Sequence, residues 1–277
     1  MLKAKQAALG LALMALTGAV SAHDLFVSFG KATTGKAHRT AVINNGTFHE
    51  SAGAVARDRL RDVSMHQAGS KIAPDLASWT VDGKQSRLTV HPPTRGTYVL
   101  GVSTMASSST RSASEFADYL KIEDLPDTLA TYDPAKFPNG VTYTYTKHAR
   151  AIGQAGKVLT NDFSASLGYP LEIRLQRNPG SLKVGEQVSF QVLHMGTPVP
   201  DLRVYVGSSA HVPAKGSHHA DTLVRTDRNG SATFEATGAG TWYIYTNRMV
   251  PSDKKGADFV SDRASLTFDI AGPAKAR

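Results

Sequence analysis

Residues 221–236, with the sequence DTLVRTDRNGSATFEA, contain two strand-like segments on either side of a turn. The turn is Asp227-Arg228-Asn229-Gly230, in which asparagine and glycine accept the positive φ that a hairpin requires. Residues 221–226 and 231–236 on either side have the length and composition of short strands. This stretch predicts a β-hairpin.

The same pattern continues on both sides of the hairpin. It gives about seven short strands in roughly 100 residues, a count and spacing that predict a β-sandwich of immunoglobulin type. Turn residues separate the segments, and Pro198 and Pro200 stand at a strand entrance, where a missing N–H costs little. The predicted strands are 171–176, 187–193, 202–208, 221–226, 231–236, 241–247 and 263–270.

The first half of the chain has a similar alternation. In RLTVH (87–91), Leu88 and Val90 are expected to face a core and His91 the opposite side. We therefore predict a mainly β protein with two β-sandwich, immunoglobulin-like domains, comprising residues 23–165 and 166–277. The predicted strands of the first half are 25–29, 39–44, 62–67, 78–81, 87–91 and 97–103.

A helical pattern interrupts the strands near 112–130. Phe116, Tyr119 and Leu120 have the spacing of one helix face, and Ser112 or Ser114 is available as the N-cap. Pro126 bounds the helix, and the turn-rich residues that follow predict a long surface excursion. A short helical insertion is therefore expected between the strands.

The first 22 residues have the features of a secretory signal peptide. Lys3 and Lys5 are followed by apolar residues 9–20, and Val20 and Ala22 occupy the positions that signal peptidase recognises. Cleavage after Ala22 makes His23 the first residue of the mature chain. The expected location is the periplasm.

The composition agrees with an exported, soluble protein. The chain has no cysteine, so neither disulfides nor thiolate metal sites are available. Without Lys3 and Lys5, 29 basic and 23 acidic residues remain, a net charge of about +6 that is spread over the chain. This pattern argues against nucleic-acid binding, and after the signal no apolar run is long enough to span a bilayer.

A mature chain that begins at His23 offers a metal two nitrogen atoms. Its free α-amine and Nδ1 close a six-membered chelate ring, and imidazole is a common ligand of Zn, Cu and Ni. Asp24 is a candidate ligand, or a group that orients His23. We therefore predict a transition-metal site, with the native metal left open among Ni, Co and Cu.

One chelating residue binds a metal weakly, so further ligands are expected. His91 ends a strand before two prolines, His148 follows Lys147, and His49 lies in a turn beside Glu50. These three are the predicted additional ligands. The other histidines are interpreted as structural or surface residues: His38, His66, His194, His211, His218 and His219.

Six short motifs resemble, in their order, the DUF4198 family of exported bacterial proteins, some of which are associated with nickel or cobalt uptake. The resemblance covers nearly the whole mature chain. It implies a periplasmic metal-associated binding protein that uses His23, with a metal-uptake membrane transporter as a partner. The motifs are AHDLF (22–26), EFADYL (115–120), YTKHAR (145–150), LGYPLEI (167–173), TDRNG (226–230) and GTWYI (240–244).

Enzyme motifs are absent from the sequence. It contains no Gly-x-Ser-x-Gly, His-Glu-x-x-His or P-loop pattern, and no cysteine nucleophile. The prediction is therefore a metal-binding protein rather than an enzyme. Two alternatives remain open: a secreted structural or interaction module without metal, and a copper oxygenase in which His23, His91 and one of Phe26, Phe29 or Tyr98 form a histidine brace.

Overall fold

A computed structural model describes residues 24–29, 38–211 and 222–272 of the chain. The described residues are mostly in β-strands. These are β1 (Asp24–Phe29), β2 (Arg39–Gly46), β3 (Ser51–Gly53), β4 (Leu60–Gln67), β5 (Ser70–Ile72), β6 (Thr80–Asp82), β7 (Gln85–Val90), β8 (Gly96–Thr104), β9 (Ser107–Arg111), β10 (Val141–Ala155), β11 (Leu171–Leu175), β12 (Gln187–His194), β13 (Thr197–Pro198), β14 (Arg203–Ser208), β15 (Thr222–Arg225), β16 (Ser231–Glu235), β17 (Gly240–Pro251) and β18 (Phe259–Ile270).

Two α-helices, α1 (Ala113–Ile122) and α2 (Pro126–Thr131), occupy the position predicted for the helical insertion. Ser112 and Glu115 form a capping box that satisfies backbone donors at the start of α1. Neither helix, nor any other in the described ranges, is long and apolar enough to cross a membrane. The remaining helical residues are 3₁₀ turns at Arg57–Arg59, Leu76–Ser78, Pro134–Lys136, Asn161–Ser164 and Pro179–Ser181.

The strands form three sheets. The front sheet has the order β1-β2-β7-β6, with β3 paired to β2. The central sheet has nine strands in the order β15-β14-β17-β18-β10-β8-β4-β5, with β9 paired to β10. The back sheet has the order β11-β12-β13, with β16 paired to β12.

The central sheet takes part in both sandwiches. Successive side chains of a strand point to opposite faces. On β10, Ala149 and Ala151 join the apolar core beneath the front sheet, whereas Ile152 joins the core beneath the back sheet. The prediction of a mainly β, immunoglobulin-like fold with two sandwiches and a short helical insertion is confirmed. The predicted hairpin over residues 221–236 is wrong, because β15 pairs with β14 in the central sheet whereas β16 pairs with β12 in the back sheet.

The two halves of the chain meet at β10 and β18, which pair in parallel at the middle of the central sheet. Strand β10 lies in the first predicted domain range and β18 in the second. The predicted domain limits, 23–165 and 166–277, stay a prediction. In the structure, strands from both ranges hydrogen-bond to each other within one sheet.

Strand β1 is the edge of the front sheet and lies over β18. The hydroxyl groups of Ser265 and Thr267 donate hydrogen bonds to the backbone carbonyls of Leu25 and Val27. These bonds satisfy acceptors that an edge strand otherwise leaves open. The first described residue, Asp24, is thereby fixed above the central sheet.

The helical insertion covers the front face of the central sheet next to β1. Phe116, Tyr119 and Leu120 of α1 are buried against Tyr143 and Phe259 of β10 and β18, as the spacing of the three helix residues predicted. Front sheet and helices therefore meet above the β10–β18 pair. The candidate functional site lies at that junction.

Candidate functional site

Asp24 is the predicted site residue that lies at this junction. It is 8% exposed, and its Oδ1 accepts a hydrogen bond of 2.9 Å from Nη1 of Arg263. His23, which precedes it in the chain, lies outside the described residues, as does the predicted signal peptide. The prediction for His23 is therefore not tested by the structure.

Arg263 connects three elements through one guanidinium group. Besides Asp24 of β1, its Nη2 contacts the hydroxyl of Tyr119 at 2.9 Å and Oε2 of Glu123 at 2.5 Å, where α1 ends. Burial opposes its charge, but Glu123, Tyr119 and Asp24 hold the pKa of Arg263 well above its ordinary value. Arg263 therefore stays protonated and binds both acidic side chains, and burial of Glu123 raises the pKa of that carboxyl group despite the charge of Arg263.

Lys147 adds a second buried cation. It is the register partner of Arg263 on β10 and is 9% exposed. Its Nζ donates to Oδ1 of Asn45 at 2.7 Å, and within the described ranges it forms no ion pair with a carboxylate. Burial, reinforced by the charge of Arg263, lowers the pKa of Lys147 to about 8. We call Asp24, Tyr119, Glu123, Lys147 and Arg263 the Arg263 cluster.

The end of α1 holds Glu123 over Arg263. The amide of Leu125 donates to the carbonyl of Leu120 at 2.9 Å and that of Asp124 to Lys121 at 3.1 Å, which is the Schellman pattern. Asp124 has a φ of 48°, a conformation that usually requires glycine at this position. Its carboxylate also contacts Arg203 and Tyr205 of β14. Asp124 therefore ties the helix end to the central sheet.

His49 lies at the same end of the front sheet as Asp24. It follows β2, whose last residue Gly46 is the register partner of Asp24. The His49 ring packs edge-on against Phe48 at 5.1 Å and Tyr243 at 5.8 Å between ring centroids. Of the predicted imidazole ligands in the described ranges, His49 is the one placed at the Asp24 end.

His91 lies at the opposite end of the front sheet. It follows Val90, the partner of Arg39 at the start of β2. Strand β2 has eight residues and is therefore roughly 25 Å long. Because Asp24 and His91 lie at its opposite ends, about that distance separates them. The His91 ring is exposed, and its centroid lies 5.6 Å from that of His38.

His148 lies on the back face of the central sheet, because it follows Lys147 on the same strand. It is 2% exposed, and its two ring nitrogens contact Ser103 Oγ at 2.9 Å and Thr146 Oγ1 at 3.0 Å. Tyr169 stacks on the ring. The structure thus places His148 and Asp24 on opposite sides of the central sheet.

A serine, a histidine and an aspartate do meet on this back face. Asp262 lies 3.9 Å from His148 Nε2 and 3.3 Å from His194 Nε2. Ser103, however, is completely buried and contacts Nδ1 of His148. A nucleophilic serine must be reachable by substrate, so this arrangement is structural.

Within the described ranges, no group of three or more His, Asp or Glu side chains is placed to hold a metal ion. Asp24 is already bound to Arg263, and His49, His91 and His148 lie at three separate places. A metal site at the Arg263 cluster therefore depends on the nitrogen atoms of His23. These predicted ligands stay predictions.

Sequence reasoning did not identify Arg263, Glu123, Lys147 or Tyr119 as members of one site. Tyr119 and Lys147 lie in motifs noted for other reasons, Tyr119 on the predicted helix and Lys147 beside His148, and Glu123 lies within the predicted helical insertion near 112–130. Arg263 lies in an ordinary strand. The alternation of β10 could have shown that Lys147 is buried, because it places Lys147 on the same face as Ala149 and Ala151.

Comparisons with known proteins give structural neighbours of low similarity. The D0–D1 domain of intimin is 11% identical, covering 88% of this chain and 97% of that chain with a TM-score of 0.21. A putative membrane anchored protein from Corynebacterium diphtheriae is 12% identical, covering 92% and 60% of the two chains with a TM-score of 0.22. Tandem Ig repeats of Dlar are 11% identical, covering 90% and 94% with a TM-score of 0.17.

No curated protein matches the chain. One family model, in contrast, matches most of the chain. The model of the domain of unknown function DUF4198 matches residues 20–249, a range that includes the whole Arg263 cluster except Arg263 itself. The chain belongs to the DUF4198 family.

Proposed function

We propose that this protein is a periplasmic metal-binding protein that captures or delivers a transition metal, Ni, Co or Cu, through an N-terminal His23. The α-amine and Nδ1 of His23 bind the metal after signal cleavage. One observation carries the proposal: the next residue, Asp24, is buried and bonded to Arg263. A terminus attached to a fixed residue loses less entropy on chelating a metal than a free tail does.

The function is binding rather than catalysis. Membership of the DUF4198 family and an immunoglobulin-like fold fit a protein that is not an enzyme. A metal-uptake membrane transporter is the proposed recipient of the metal. His49 is the favoured additional ligand, because it lies at the Asp24 end of the front sheet, while Asp24 serves to position His23.

The first experiment determines the N-terminus and then the binding. The protein is exported with its own signal, its mature start is found by intact mass, and the sample is titrated with Cu(II) and Ni(II). We expect stoichiometric binding by the wild type and its loss in His23→Ala. The matched control retains Ala22, which converts the His23 amine into a peptide nitrogen but keeps the imidazole; this variant should bind much more weakly.

Binding should also weaken as the pH falls from 8 to 5, because the amine and the imidazole must both lose protons to coordinate. Equal affinity across that range contradicts the proposal, and so does equal binding by the wild type and His23→Ala. In either case the structural-module alternative is favoured. Tight Cu(II) binding together with reductant-driven oxygen consumption would instead indicate the copper oxygenase.

A further inference from the structure

The central sheet extends beyond the back sheet at one end. His194, the last residue of β12, contacts Asp262 of β18 at 3.3 Å, and Tyr169 stacks on His148 of β10. The earlier residues of β10, 141–146, lie beyond these contacts, together with their neighbours on β9, β17 and β18. This projecting end of the sheet is about 20 Å long.

The burial of β10 changes where the projecting end begins. From 147 to 153 every residue is buried, because both faces of the sheet are covered there. In the preceding residues the helices cover the front face, where Val141 and Tyr143 are buried. The residues that alternate with them point to the back face and are half-buried: Thr142, Thr144 and Thr146. The back face of the projecting end is therefore accessible to solvent.

Hydroxyl groups dominate this accessible face. Cross-strand partners point to the same face, so the strand register identifies its members. The contacts agree with the register. The hydroxyls of Thr110 and Thr142 lie 2.8 Å apart, and the hydroxyl of Thr146 donates to Asp262 at 2.6 Å. The members, which we call the hydroxyl face, are Ser108, Thr110, Thr142, Thr144, Thr146, Arg248, Val250, Val260 and Asp262.

Arg248 supplies a positive charge on the hydroxyl face. It is half-buried, and within the described ranges it forms neither an ion pair nor a side-chain hydrogen bond. Its cross-strand partner Asp262 is 7% exposed, and the oxygens of that carboxylate already contact Thr146 at 2.6 Å and His194 at 3.3 Å. The guanidinium of Arg248 therefore keeps its hydrogen-bond donors available for a ligand.

We propose that the hydroxyl face binds an acidic saccharide chain. Arg248 pairs with a sugar carboxylate, because a guanidinium binds a carboxylate through two parallel hydrogen bonds. Ser108 and Thr144, whose hydroxyls have no partner among the described residues, exchange hydrogen bonds with sugar hydroxyls. Two strand spacings separate Arg248 from Thr144, a distance of about 10–12 Å, so one chain of linked sugars can contact both.

Other classes of ligand fit this face less well. A protein partner needs an apolar centre in the interface, and the face offers only Val250 and Val260 for that purpose. Nucleic acid binds through several cations that neutralise phosphates, whereas here Arg248 lies opposite Asp262. A neutral saccharide would leave the charge of Arg248 without a partner. The hydroxyl face lies on the opposite side of the sheet from the Arg263 cluster, and its proposed role requires no metal.

The test is a calorimetric titration of the mature protein with oligogalacturonate, a linear saccharide that carries a carboxylate on every ring. A chelator in the buffer prevents a metal ion from bridging the protein and the carboxylates. We expect binding by the wild type and about 10-fold weaker binding by Arg248→Gln, which loses a charge-assisted hydrogen-bonded pair. Thr144→Val keeps the shape of the side chain but removes its hydroxyl, and should weaken binding about 3-fold.

Two control variants separate this site from a general attraction between a basic chain and a polyanion. Arg228→Gln removes an exposed arginine from the turn before β16, and Thr222→Val removes an exposed hydroxyl from β15. Both variants should bind like the wild type. The methyl ester of the same saccharide has no charge and should bind much more weakly. Thermal unfolding of each variant checks that the fold is retained.

Weaker binding by Arg248→Gln and Thr144→Val, with normal binding by the two control variants and by His23→Ala, supports the proposal. A wild type that does not bind the saccharide overturns it. Equal losses in Arg248→Gln and Arg228→Gln, or equal affinity for the saccharide and its methyl ester, also overturn it, because the hydroxyl face then makes no specific contact. The proposed metal function is tested separately, since the chelator removes the metal from this titration.

Discussion

Two arginines on neighbouring strands of the central sheet are buried against different partners. Arg263 on the front face binds two carboxylates and a tyrosine hydroxyl. Arg150 on the back face binds one carboxylate, Glu172, at 3.3 Å and the backbone carbonyls of Phe163 and Ala165 at 2.9 and 2.6 Å. Burial lowers the pKa of Arg150 to about 10, whereas that of Arg263 is raised.

The two arginines differ in the parts of the molecule that they join. Glu172 accepts hydrogen bonds from the backbone amides of residues 167–169 and forms an ion pair with Arg174 at 2.9 Å. Arg150 and Glu172 therefore fix the connection between the two sandwiches by satisfying its backbone groups. Arg263 instead links a side chain of β1 to side chains at the end of α1.

The largest predicted effect is the loss of Arg263. Arg263→Met leaves Asp24 and Glu123 buried without a direct cation, so the free energy of unfolding should fall by about 3–5 kcal/mol. Arg150→Met should cost less, about 2 kcal/mol, because Glu172 keeps Arg174 and three amide donors. Urea denaturation of the two variants measures both values. A loss in Arg150→Met as large as that in Arg263→Met would show that the two faces do not differ in this way.

A smaller effect is expected at Asp124, which joins the helix end to the central sheet. Asp124→Ala loses the contacts with Arg203 and Tyr205 and keeps the unfavourable positive φ, whereas Asp124→Gly loses the same contacts and relieves the φ. Asp124→Gly should therefore be more stable than Asp124→Ala by about 1 kcal/mol. Chemical denaturation compares the two. Equal stability would mean that the conformation of Asp124 carries no strain.

An effect of similar size concerns Asp62, a back-face carboxylate with one exposed lysine partner. Burial opposes its ionisation, but hydrogen bonds from Lys71, Tyr169 and Ser64 outweigh this and hold the pKa of Asp62 below its ordinary value. The stabilisation of the fold by ionised Asp62 is therefore fully present above the unfolded-state pKa. It is lost as the pH falls through the lower folded-state pKa. Asp62→Asn should be less stable than the wild type by about 1 kcal/mol at pH 7, with the difference disappearing near pH 2.

Unfolding of the wild type and Asp62→Asn over that pH range provides the measurement. A difference that stays constant from pH 7 to pH 2 would show that the amide disrupts packing around Tyr169, rather than removing a charge. The result would also show how much the back face depends on ionised groups other than those around Arg150.

Local patterns predicted most of the strands, because alternation and turn residues are properties of short segments. The helix on 113–122 was predicted from three apolar residues and a serine cap. Strand β10 was not predicted as a strand. Its sequence, VTYTYTKHARAIGQA, has threonine, tyrosine and charged residues at positions that become buried only because other elements cover both faces.

The site could be predicted only in part for a related reason. Asp24 was named from its position after the expected cleavage point. The meeting of Lys147 with Arg263 follows from the parallel pairing of β10 and β18, which are far apart in the sequence and whose register no local pattern specifies. The same pairing explains why His148, one residue from Lys147, lies on the other face.

The position of β18 also has a consequence for how the chain folds. Strand β18 follows every other described strand in the sequence, yet it lies in the middle of the central sheet between β10 and β17 and beneath β1. The first strand thus has no complete surface to rest on until the last strand has been made and added. Such long-range pairing is slow. A chain that crosses a membrane before folding would therefore stay unfolded until its last strand has crossed. The Asp24–Arg263 contact would then form as one of the final folding steps.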